Sequence, residues 1–550
     1  MGVSDPAYAT HGGRVGTSTS AWPLRQIQVA LMISAPILCA LIALLLGKKT
    51  GWDHFNYHWY NPFALLNDRF AFDIAVGHHA TYYNPLSDVP LYWIGTHAPA
   101  WMGGVFLGAM AGITVTLVGV LAYTVLPYQD ARTRTALAAV VAMFGLAGAG
   151  AFQEIGDPAN DVPAAIGIFS ALILIARRLN RNDGRVASFI VAGALVGAAV
   201  ALKLTIAAYA IGIGVSLLFI GSLRQRVQRT ACFGIAALAG LLLVGGFWIW
   251  EMWRYSGNPL FPYFNDFFHS PLLAAASHRD LNFKPQGWIE TLLFPFYFTA
   301  NSREASESVF RDAHVLMLYL LLPGTSLYLL ISRIRQRIAV QSTTVFLFSF
   351  AAVSYVAWIA VFAIYRYLVP LEMMAPVLIA LSVSAWPLST NQKIVTTAAI
   401  LVLAQVFVRV DVSDRQSWSG DYVSVQVPAL PQPDQTLVVM TGHAPMSYVI
   451  PYFPRSIPFL RIDGWLVTAD DRDAGLARTM RSQIDAHVGP ILALFQPDEA
   501  SIAIEATAIY GLSLDLWAAN CNAIPSNINE TLLLCELGKV SDQSKPVSAD

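Results

Sequence analysis

The sequence predicts an α-helical membrane protein with about eleven transmembrane helices, a large polar loop after the first helix, and a small C-terminal α/β domain. Apolar residues make up 55% of the chain and charged residues 13%, whereas soluble domains carry roughly 25% charged residues. Apolar runs recur along residues 27–410, and about 20 such residues suffice to cross a bilayer. The net charge of −1 gives no reason to expect a nucleic-acid partner.

The apolar runs define the helices one by one. The run 187–221 is interrupted by Lys203 and carries basic residues at both ends, so we expect two short helices that turn at Lys203. The predicted helices are about 27–47, 102–126, 136–152, 162–176, two within 187–221, 230–250, 313–331, 343–364, 368–386 and 393–410.

Arginine clusters predict the orientation, because Lys and Arg in short loops mark the cytoplasmic side. With residues 1–26 as a cytoplasmic tail, every cluster falls inside and the loops 48–101, 153–161 and 251–312 fall outside. An odd number of helices then places residues 411–550 outside as well. The clusters are Arg132 and Arg134, then Arg177, Arg178, Arg181 and Arg185, then Arg224, Arg226 and Arg229, and finally Arg333, Arg335 and Arg337.

Residues 411–550 alternate between strand-like and helix-like segments, which indicates a small α/β domain. Cys521 and Cys535 are candidates for a disulfide if this domain lies outside the cytoplasm. The domain carries no recognisable catalytic motif, so we expect a lid or an acceptor-docking module. The strand-like runs are Thr436–Met440 and Pro490–Phe495, and the helical ones are Asp473–His487 and Glu499–Tyr510.

The first outer loop is the most informative stretch, because it is aromatic, acidic and histidine-rich where a short connection is usual. Asp53 follows the first helix by a few residues. A carboxylate at that depth is costly unless it is paired, which makes it a functional candidate. It suits a general base that takes a proton from a hydroxyl. The alternative is a structural carboxylate that fixes the loop through Arg69 or backbone amides.

Four further side chains of this loop are candidate substrate-binding residues: His54, Tyr57, His58 and His78. His54 and His58 are spaced four residues apart, and together with Asp53 or His78 they offer ligands for a metal ion. The alternative is an interfacial helix whose histidines form local hydrogen bonds. No HExxH or CxxC pattern is present, so no metal ligand is assigned and a divalent cation stays open.

A short motif occurs twice, at residues 84–90 (NPLSDVP) and 157–163 (DPANDVP). In each copy an acid precedes a proline at the start of an apolar segment, which is typical of a helix N-cap. We therefore expect Asp88 and Asp161 to be caps. Asp157 lies outside the cap position, so it is a second catalytic candidate, with ordinary loop solvation as the alternative.

Two cations lie on the predicted outer side, Lys203 in its hairpin and Arg366 beside Tyr365. A cation among aromatic residues suits an anionic headgroup, and arginine binds phosphate through two parallel hydrogen bonds. The alternative is snorkelling to lipid phosphates or pairing with a loop acid. Glu251 follows the seventh predicted helix and forms part of the expected site wall, although it also has helical spacing for a pair with Arg254.

Taken in chain order, these features resemble the GT-C superfamily of integral-membrane glycosyltransferases, which use lipid-phosphate-linked sugars. The resemblance covers roughly residues 27–410, and the C-terminal domain resembles the tails of uncharacterised bacterial members. The features are Asp53 in the first loop, the segment 84–92 (NPLSDVPLY) ahead of helix two, Asp157 between helices three and four, the Lys203 hairpin, Gly257-Asn258-Pro259, and residues 365–370 (YRYLVP).

The resemblance implies an inverting transfer of a sugar from a polyprenyl-phosphate donor to a hydroxyl of a lipid, glycan or protein acceptor. Asp53 would be the base, Arg366 and Lys203 would bind the lipid phosphate, and Asp157 would position the acceptor or a metal. It also implies the bacterial inner membrane, with the C-terminal domain in the periplasm. His54 follows Asp53 where protein O-mannosyltransferases have an Asp-Glu pair, and the WWD-type motif of oligosaccharyltransferases is absent, so the acceptor stays open.

Two alternatives belong to other classes. A transporter or flippase of lipid-linked glycans would carry its charges within the helices and show repeated halves, whereas the charges here lie in loops. An O-antigen ligase or polymerase would be expected to have its large loop late in the chain. The sequence favours an enzyme, and it identifies neither the sugar nor the acceptor.

Overall fold

The computed structural model describes residues 21–181, 185–335, 340–517, 520–528 and 531–539. Most of the predicted cytoplasmic tail and Arg337 lie outside these residues. The helices of the first half are α1 (Ala21–Leu46), α2 (Tyr60–Leu66), α3 (Val89–His97), α4 (Ala100–Val125), α5 (Ala131–Leu146), α6 (Ala149–Gln153), α7 (Asp161–Arg181), α8 (Ala187–Leu202) and α9 (Ala207–Leu217).

The second half continues the helical bundle up to the C-terminal domain. Its helices are α10 (Leu223–Ser256), α11 (Asn265–Phe268), α12 (Gly287–Ala300), α13 (His314–Ile334), α14 (Ser342–Val361), α15 (Val369–Ser384) and α16 (Thr390–Val406).

Seven of the described helical segments are long and apolar enough to cross a membrane, namely α1, α4, α7, α10, α13, α14 and α15 taken with the turn before it (Tyr365–Ser384), and α8 and α9 are shorter apolar helices. Large apolar side chains such as Leu45, Ile235 and Leu243 are strongly exposed on them, as expected where lipid rather than water is the neighbour. The predicted polytopic helical fold is confirmed. Each of the eleven predicted runs contains a helix, and the two short helices turn at Lys203 as predicted.

Three predicted boundaries are wrong. The run 136–152 is divided into α5 and α6 at residues 147–148, and the seventh predicted helix, α10, continues to Ser256. The loop 251–312 therefore begins later than predicted, and it contains α11 and α12. Sequence hydropathy locates apolar stretches, whereas the polar ends of α10 extend the helix beyond its apolar part. As a consequence, Glu251 belongs to α10.

Helix α15 is the centre of the bundle, since every one of its residues is buried. It packs against α5, α13 and α16. The turn Tyr365–Leu368 leads directly into it. A side chain on this turn is thus anchored to the most buried element of the molecule, which gives Arg366 a rigid support at one end of the bundle.

The C-terminal domain is the predicted α/β unit. The strands are β3 (Leu437–Met440), β4 (Phe459–Arg461), β5 (Ile491–Phe495), β6 (Leu512–Ser513), β7 (Cys521–Ile524) and β8 (Leu532–Lys539), with α17 (Gly475–Ala486) and α18 (Ala500–Ile509). They form a mixed sheet in the order β4-β3-β5-β8-β6, with β7 also paired to β8, and β3 is parallel to both β4 and β5. The disulfide between Cys521 and Cys535 joins β7 to β8 as predicted.

Backbone pairing joins the C-terminal domain to the first loop at two places. Strand β1 (Lys48–Lys49), directly after α1, pairs antiparallel with β2 (Arg415–Gln416). Further along the loop, Ile74 forms a parallel bridge to Leu460 of β4. The first loop therefore continues the edge of the C-terminal sheet, and the two segments form one layer over the end of the helices.

Candidate functional site

A cavity of about 940 Å³ lies where the helix ends, the first loop and the C-terminal domain meet. The segments that the sequence places in outer loops come together here, although they are far apart along the chain. Its walls contain both charged and aromatic side chains. They come from residues 49–57, 78–83, 150–157, 263–282, 306–310 and 364–369, together with Asp414 and Trp465.

A chain of four alternating charges lies at the inner wall of this cavity. Arg366 Nη1 is 2.5 Å from Asp53 Oδ2, and Arg366 Nε is 3.3 Å from Asp161 Oδ2. Lys203 Nζ is 2.7 Å from the same Asp161 oxygen, and it also donates to the carbonyl oxygen of Ala159. Only 2% of the Asp161 side chain is exposed, so its charge needs these cations.

Asp53 and Arg366 are the accessible part of this chain, with 25% and 33% of their side chains exposed. Burial raises the pKa of Asp53, but the positive charges of Arg366, His58 and Lys203 and the hydrogen bond from Arg366 outweigh it. The pKa of this carboxyl is therefore held below its usual range. Asp53 is ionised at neutral pH, and it is not paired with Arg69, which binds Asp73 instead.

The acidic loop after α6 contributes Glu154 and Asp157 to the wall. Asp157 Oδ1 accepts a hydrogen bond from the backbone of Ala159 at 2.9 Å and remains partly accessible. Glu154 is buried, and its Oε2 has no hydrogen-bond partner among the described residues. Burial, together with the charges of Asp157 and Asp161, raises the pKa of Glu154 well above its usual range.

The first loop enters the site through a π-helical turn at His54–His58. Tyr57 and His54 line the cavity, and burial raises the pKa of the Tyr57 hydroxyl and lowers the pKa of His54. His54 and His58 do not converge on one point, because His54 packs against Trp59 and Tyr422 while His58 binds elsewhere.

Tyr365 also lines the cavity, and its buried ring packs against Phe298 and Phe310. Behind it, the Glu372 carboxylate of α15 accepts hydrogen bonds from the backbone N–H groups of Gly150 and Ala151. These bonds fix α6, which leads into the acidic loop, to the central helix. The cavity wall is therefore held by buried contacts on the side that carries Arg366.

The cavity brings together most of the predicted site residues, namely Asp53, Asp157, His54, Tyr57, His78, Arg366 and Tyr365. Lys203 does not line the cavity. It binds Asp161, which in turn contacts Arg366 of the cavity wall. Glu251 does not line the cavity; it is partly exposed on α10 and lies 3.7 Å from Arg254, the pairing that its spacing allowed.

His58 also lies off the cavity wall, and its Nδ1 is 2.9 Å from Asp88 Oδ1. The prediction that Asp88 caps a helix through its side chain is wrong. Asp88 occupies the N-cap position of α3 without a side-chain cap, and it accepts a hydrogen bond from Asn160 at 2.5 Å. Asp161 likewise uses its carboxylate for Lys203 and Arg366. The carboxylates of Asp88 and Asp161 thus accept from side chains instead of capping a helix.

Several residues of the site are not identified by the sequence reasoning. Asp161 was assigned to a cap, although Lys203, a lone cation in an apolar hairpin, requires a buried acid as partner. Arg415 of β2 donates to the carbonyl oxygens of Gly47, Gln153 and Ile155. Trp465 reaches the cavity from the C-terminal domain, and no local pattern in the sequence indicates that contact.

Within the described residues, no group of three or more His, Cys, Asp or Glu side chains is arranged to hold a metal ion. The acids of the wall are instead close to Arg366 and Lys203. A divalent cation at this site stays a prediction, and the steps proposed for the reaction use side chains of the chain itself.

Fold and site together define a polytopic membrane protein with a charged, aromatic cavity at one end of its helices. Residues 103–373, from α4 to the start of α15, match a family model described as "Domain of unknown function (DUF8201)". No curated protein sequence is significantly similar to the chain.

Two solved structures are similar in fold over nearly the whole chain, and both are of ArnT from Cupriavidus metallidurans. The form bound to undecaprenyl phosphate has a TM-score of 0.47 and 12% identity, and the alignment covers 92% of this chain and 97% of ArnT. The apo form has the same TM-score and identity, covering 93% and 98%. We transfer no reaction from ArnT to this chain.

Proposed function

We propose that this protein is an inverting glycosyltransferase that moves a sugar from a polyprenyl-phosphate donor to a hydroxyl acceptor at the outer face of a membrane. The observation that carries the proposal is the Asp53–Arg366 pair at 2.5 Å in the wall of a cavity of about 940 Å³. A carboxylate and a guanidinium at one membrane-facing point are the groups that a phosphate-linked donor and a hydroxyl acceptor require.

Arg366 binds the donor phosphate in this proposal. Its guanidinium is partly exposed, and it stands on the turn that leads into the buried helix α15. Arginine binds phosphate through paired hydrogen bonds and stays charged throughout. Lys203 lies behind it and compensates the charge of Asp161. Arg366 thus remains available to the phosphate without leaving Asp161 unpaired.

Asp53 acts as the general base. Its carboxylate takes the proton of the acceptor hydroxyl while the acceptor oxygen forms a bond to the anomeric carbon. The bond between that carbon and the phosphate oxygen breaks, and the electron pair leaves with the polyprenyl phosphate. The phosphate departs as an anion held by Arg366, so no strong general acid is needed. One displacement inverts the anomeric configuration.

Donor binding and base strength are coupled through the Asp53–Arg366 pair. Arg366 lowers the pKa of Asp53, and a carboxyl with a low pKa is a weak base. A phosphate bound to Arg366 competes for its donors and weakens this effect, so the pKa of Asp53 rises. The base therefore gains strength when the donor is in place.

The remaining roles follow from position. Asp157 is partly accessible on the opposite loop and orients the acceptor, while His54, Tyr57 and Tyr365 contribute to the walls around the sugar. The acceptor is a lipid, a glycan or a protein. We place the protein in the bacterial inner membrane with its N-terminus in the cytoplasm and its C-terminal domain in the periplasm, since this orientation puts the arginine clusters inside.

The test is transfer of radiolabelled sugar from undecaprenyl-phosphate sugars, the carrier lipid seen in the similar ArnT structure, to membrane acceptors. We expect Asp53→Asn to lose transfer by a factor of about 100 or more while donor binding is retained. Arg366→Ala should lose donor binding itself. Asp498→Asn, at an exposed carboxylate of the C-terminal domain away from the cavity, serves as the matched control.

Three outcomes overturn the proposal. Equal transfer by the wild type and Asp53→Asn would exclude Asp53 as the base and direct attention to Asp157. Absence of transfer by the wild type from every monophosphate donor, with movement of the lipid-linked glycan across vesicles instead, would favour the transporter. Transfer from diphosphate-linked oligosaccharides alone would favour a ligase or polymerase.

A further inference from the structure

Four aromatic rings from two distant parts of the chain form one cluster beside the cavity. Trp52 and Trp465 are stacked with ring centroids 5.0 Å apart and planes at 22°. His78 stacks on Trp52 at 5.5 Å, and His443 lies 5.5 Å from Trp465. Trp52 and His78 belong to the first loop, whereas the other two belong to the C-terminal domain. We call this group the aromatic cluster.

Trp465 is the accessible member of the aromatic cluster. It is 56% exposed and lines the cavity, although it comes from the C-terminal domain. An exposed indole held in place by stacking offers a flat apolar surface that keeps its position. Trp517 is more exposed still, at 101%, but it does not line the cavity. Trp465 therefore differs from Trp517 in its position in the cavity wall, and not in a greater exposed fraction of its side chain.

His78 supplies a hydrogen-bond donor next to this surface. Its Nδ1 accepts from the backbone N–H of Trp465 at 3.1 Å, so in the neutral ring the proton is on Nε2. That Nε2 is buried and makes no hydrogen bond of regular geometry among the described residues, and the backbone carbonyl of His443 lies near the ring. Burial and the positive charge of Arg461 lower the pKa of His78 well below its usual range, which keeps the ring neutral. A buried donor without a regular hydrogen bond in a cavity wall is costly unless a ligand uses it.

The backbone fixes the direction of this ring. His78 has a φ of 55°, in the left-handed region that a histidine rarely adopts. Gly464 precedes Trp465, and a Cβ at Gly464 would lie 2.5 Å from His78 Cε1. Only glycine allows the C-terminal loop to approach His78 so closely. Strained backbone of this kind is found where a side chain must be presented in one orientation.

The ligand that matches these features is a sugar ring. A pyranose has faces made of C–H bonds, which pack on an indole, and hydroxyl groups around its edge, which accept hydrogen bonds. Ligand sites combine apolar walls with a few placed polar groups in the same way. The aromatic cluster also adjoins the reacting groups, because Trp52 immediately precedes Asp53 and both line the cavity.

We propose that Trp465 and His78 form a binding site for a sugar ring of a glycan acceptor, with the ring on the indole and a hydroxyl on His78 Nε2. The assignment of this ring to the acceptor rests on the proposed transferase function, whereas the sugar site itself does not. With a sugar ring bound at Trp465 and His78, the C-terminal domain is part of the acceptor site, and an acceptor hydroxyl lies beside Asp53.

The test uses the purified full-length protein in nanodiscs and isothermal titration calorimetry. The probes are free oligosaccharides built from glucose, galactose, mannose and N-acetylglucosamine. For the tightest binder we expect Trp465→Ala to weaken affinity at least tenfold and Trp465→Phe to keep most of it. His78→Ala should weaken binding as well. Trp517→Ala, an exposed tryptophan of the same domain, should bind like the wild type.

A second measurement distinguishes a donor sugar from an acceptor sugar at this site. It is the binding of undecaprenyl-phosphate sugars to the same variants. If Trp465→Ala loses the lipid-linked sugar but still binds the free glycans, the site holds the donor and the acceptor assignment is overturned. Equal affinity of Trp465→Ala and wild type, or no binding of any probe to the wild type at about 10 mM, overturns the sugar site. Glycan binding that depends on Trp465, in a protein without transferase activity, supports the site and rejects only the proposed function.

Discussion

Glu154 shows how far one residue of this site departs from solution behaviour. The side chain is buried between two other acids, and its Oε2 lacks a hydrogen-bond partner among the residues that the structure describes. Burial and these neighbouring charges raise the pKa of Glu154 well above its usual range. The neutral form is therefore favoured, and a glutamine of the same shape should replace it without an unpaired charge.

We predict that Glu154→Gln stabilises the protein relative to the wild type as the pH rises. The folded protein binds this proton more tightly than the unfolded chain does. The contribution of Glu154 to the free energy of unfolding is therefore fully present below the pKa that this residue has in the unfolded chain. It is lost as the pH rises from that value through the raised pKa of the folded protein. Melting temperatures of both proteins in detergent between about pH 5 and pH 8 measure the effect. Glu505→Gln, at an exposed position of α18, is the control, and a difference that does not change with pH would contradict the prediction.

The residue types at the site were predictable, but their pairing was not. Asp53, Arg366 and Lys203 are each conspicuous in the sequence because a charge near the membrane is rare. Asp161 resembled a cap, since the same local motif surrounds Asp88. Which acid pairs with which base depends on tertiary contacts between residues up to 313 positions apart, and no local pattern encodes such contacts.

At the scale of elements, Arg415 holds three segments together. Its guanidinium donates to Gly47 at the end of α1 and to Gln153 and Ile155 in the acidic loop. Strand β2, which carries it, pairs with β1. One side chain thus sets the distance between the first loop, the C-terminal domain and the loop that bears Glu154 and Asp157.

Removing this contact should loosen the acidic loop. Hydrogen bonds from a charged donor contribute about 1.5 kcal/mol or more each, so we expect Arg415→Gln to speed amide hydrogen exchange in residues 153–158 at least about tenfold. Mass spectrometry of peptides from this loop gives the measurement. Arg481→Gln, at a surface arginine of α17 paired with Asp473, should leave these peptides unchanged. Equal exchange in the Arg415 variant and the wild type would show that the loop is held elsewhere.

The sequence predicted the type of each helix or strand better than its first and last residues. Long apolar runs located the helices, and short apolar runs located β3 and β5, because both signals are local. The end of α10 at Ser256 was not predicted, because the last turns of this helix are polar and aromatic. The π-helical turn at His54–His58 was not predicted either; all five of its residues are buried, and tertiary burial of this kind has no local sequence pattern.

At the scale of the whole molecule, the sequence predicted two domains but not their junction. Segments of all three predicted outer loops line one cavity, and the arginine clusters predict that these loops lie on the same side of the membrane. The contact between the C-terminal sheet and the first loop arises from backbone pairing at Ile74–Leu460 and from Arg461, which donates to the carbonyl oxygen of Val76. Backbone pairing of this kind has no sequence signature, so the role of Trp465 in the cavity was unforeseen.

This junction makes a prediction about membrane sidedness that does not depend on counting helices. Because the C-terminal sheet pairs with the first loop, both must lie on the same side of the membrane, and the arginine clusters must lie on the other. We expect a membrane-impermeant maleimide to label Trp517→Cys and Phe267→Cys, both exposed, in intact cells. Arg226→Cys should be labelled only after permeabilisation. All three are made in a Cys232→Ala background, because Cys232 is a free thiol, and labelling of Arg226→Cys from the same side as Trp517→Cys would contradict the shared orientation.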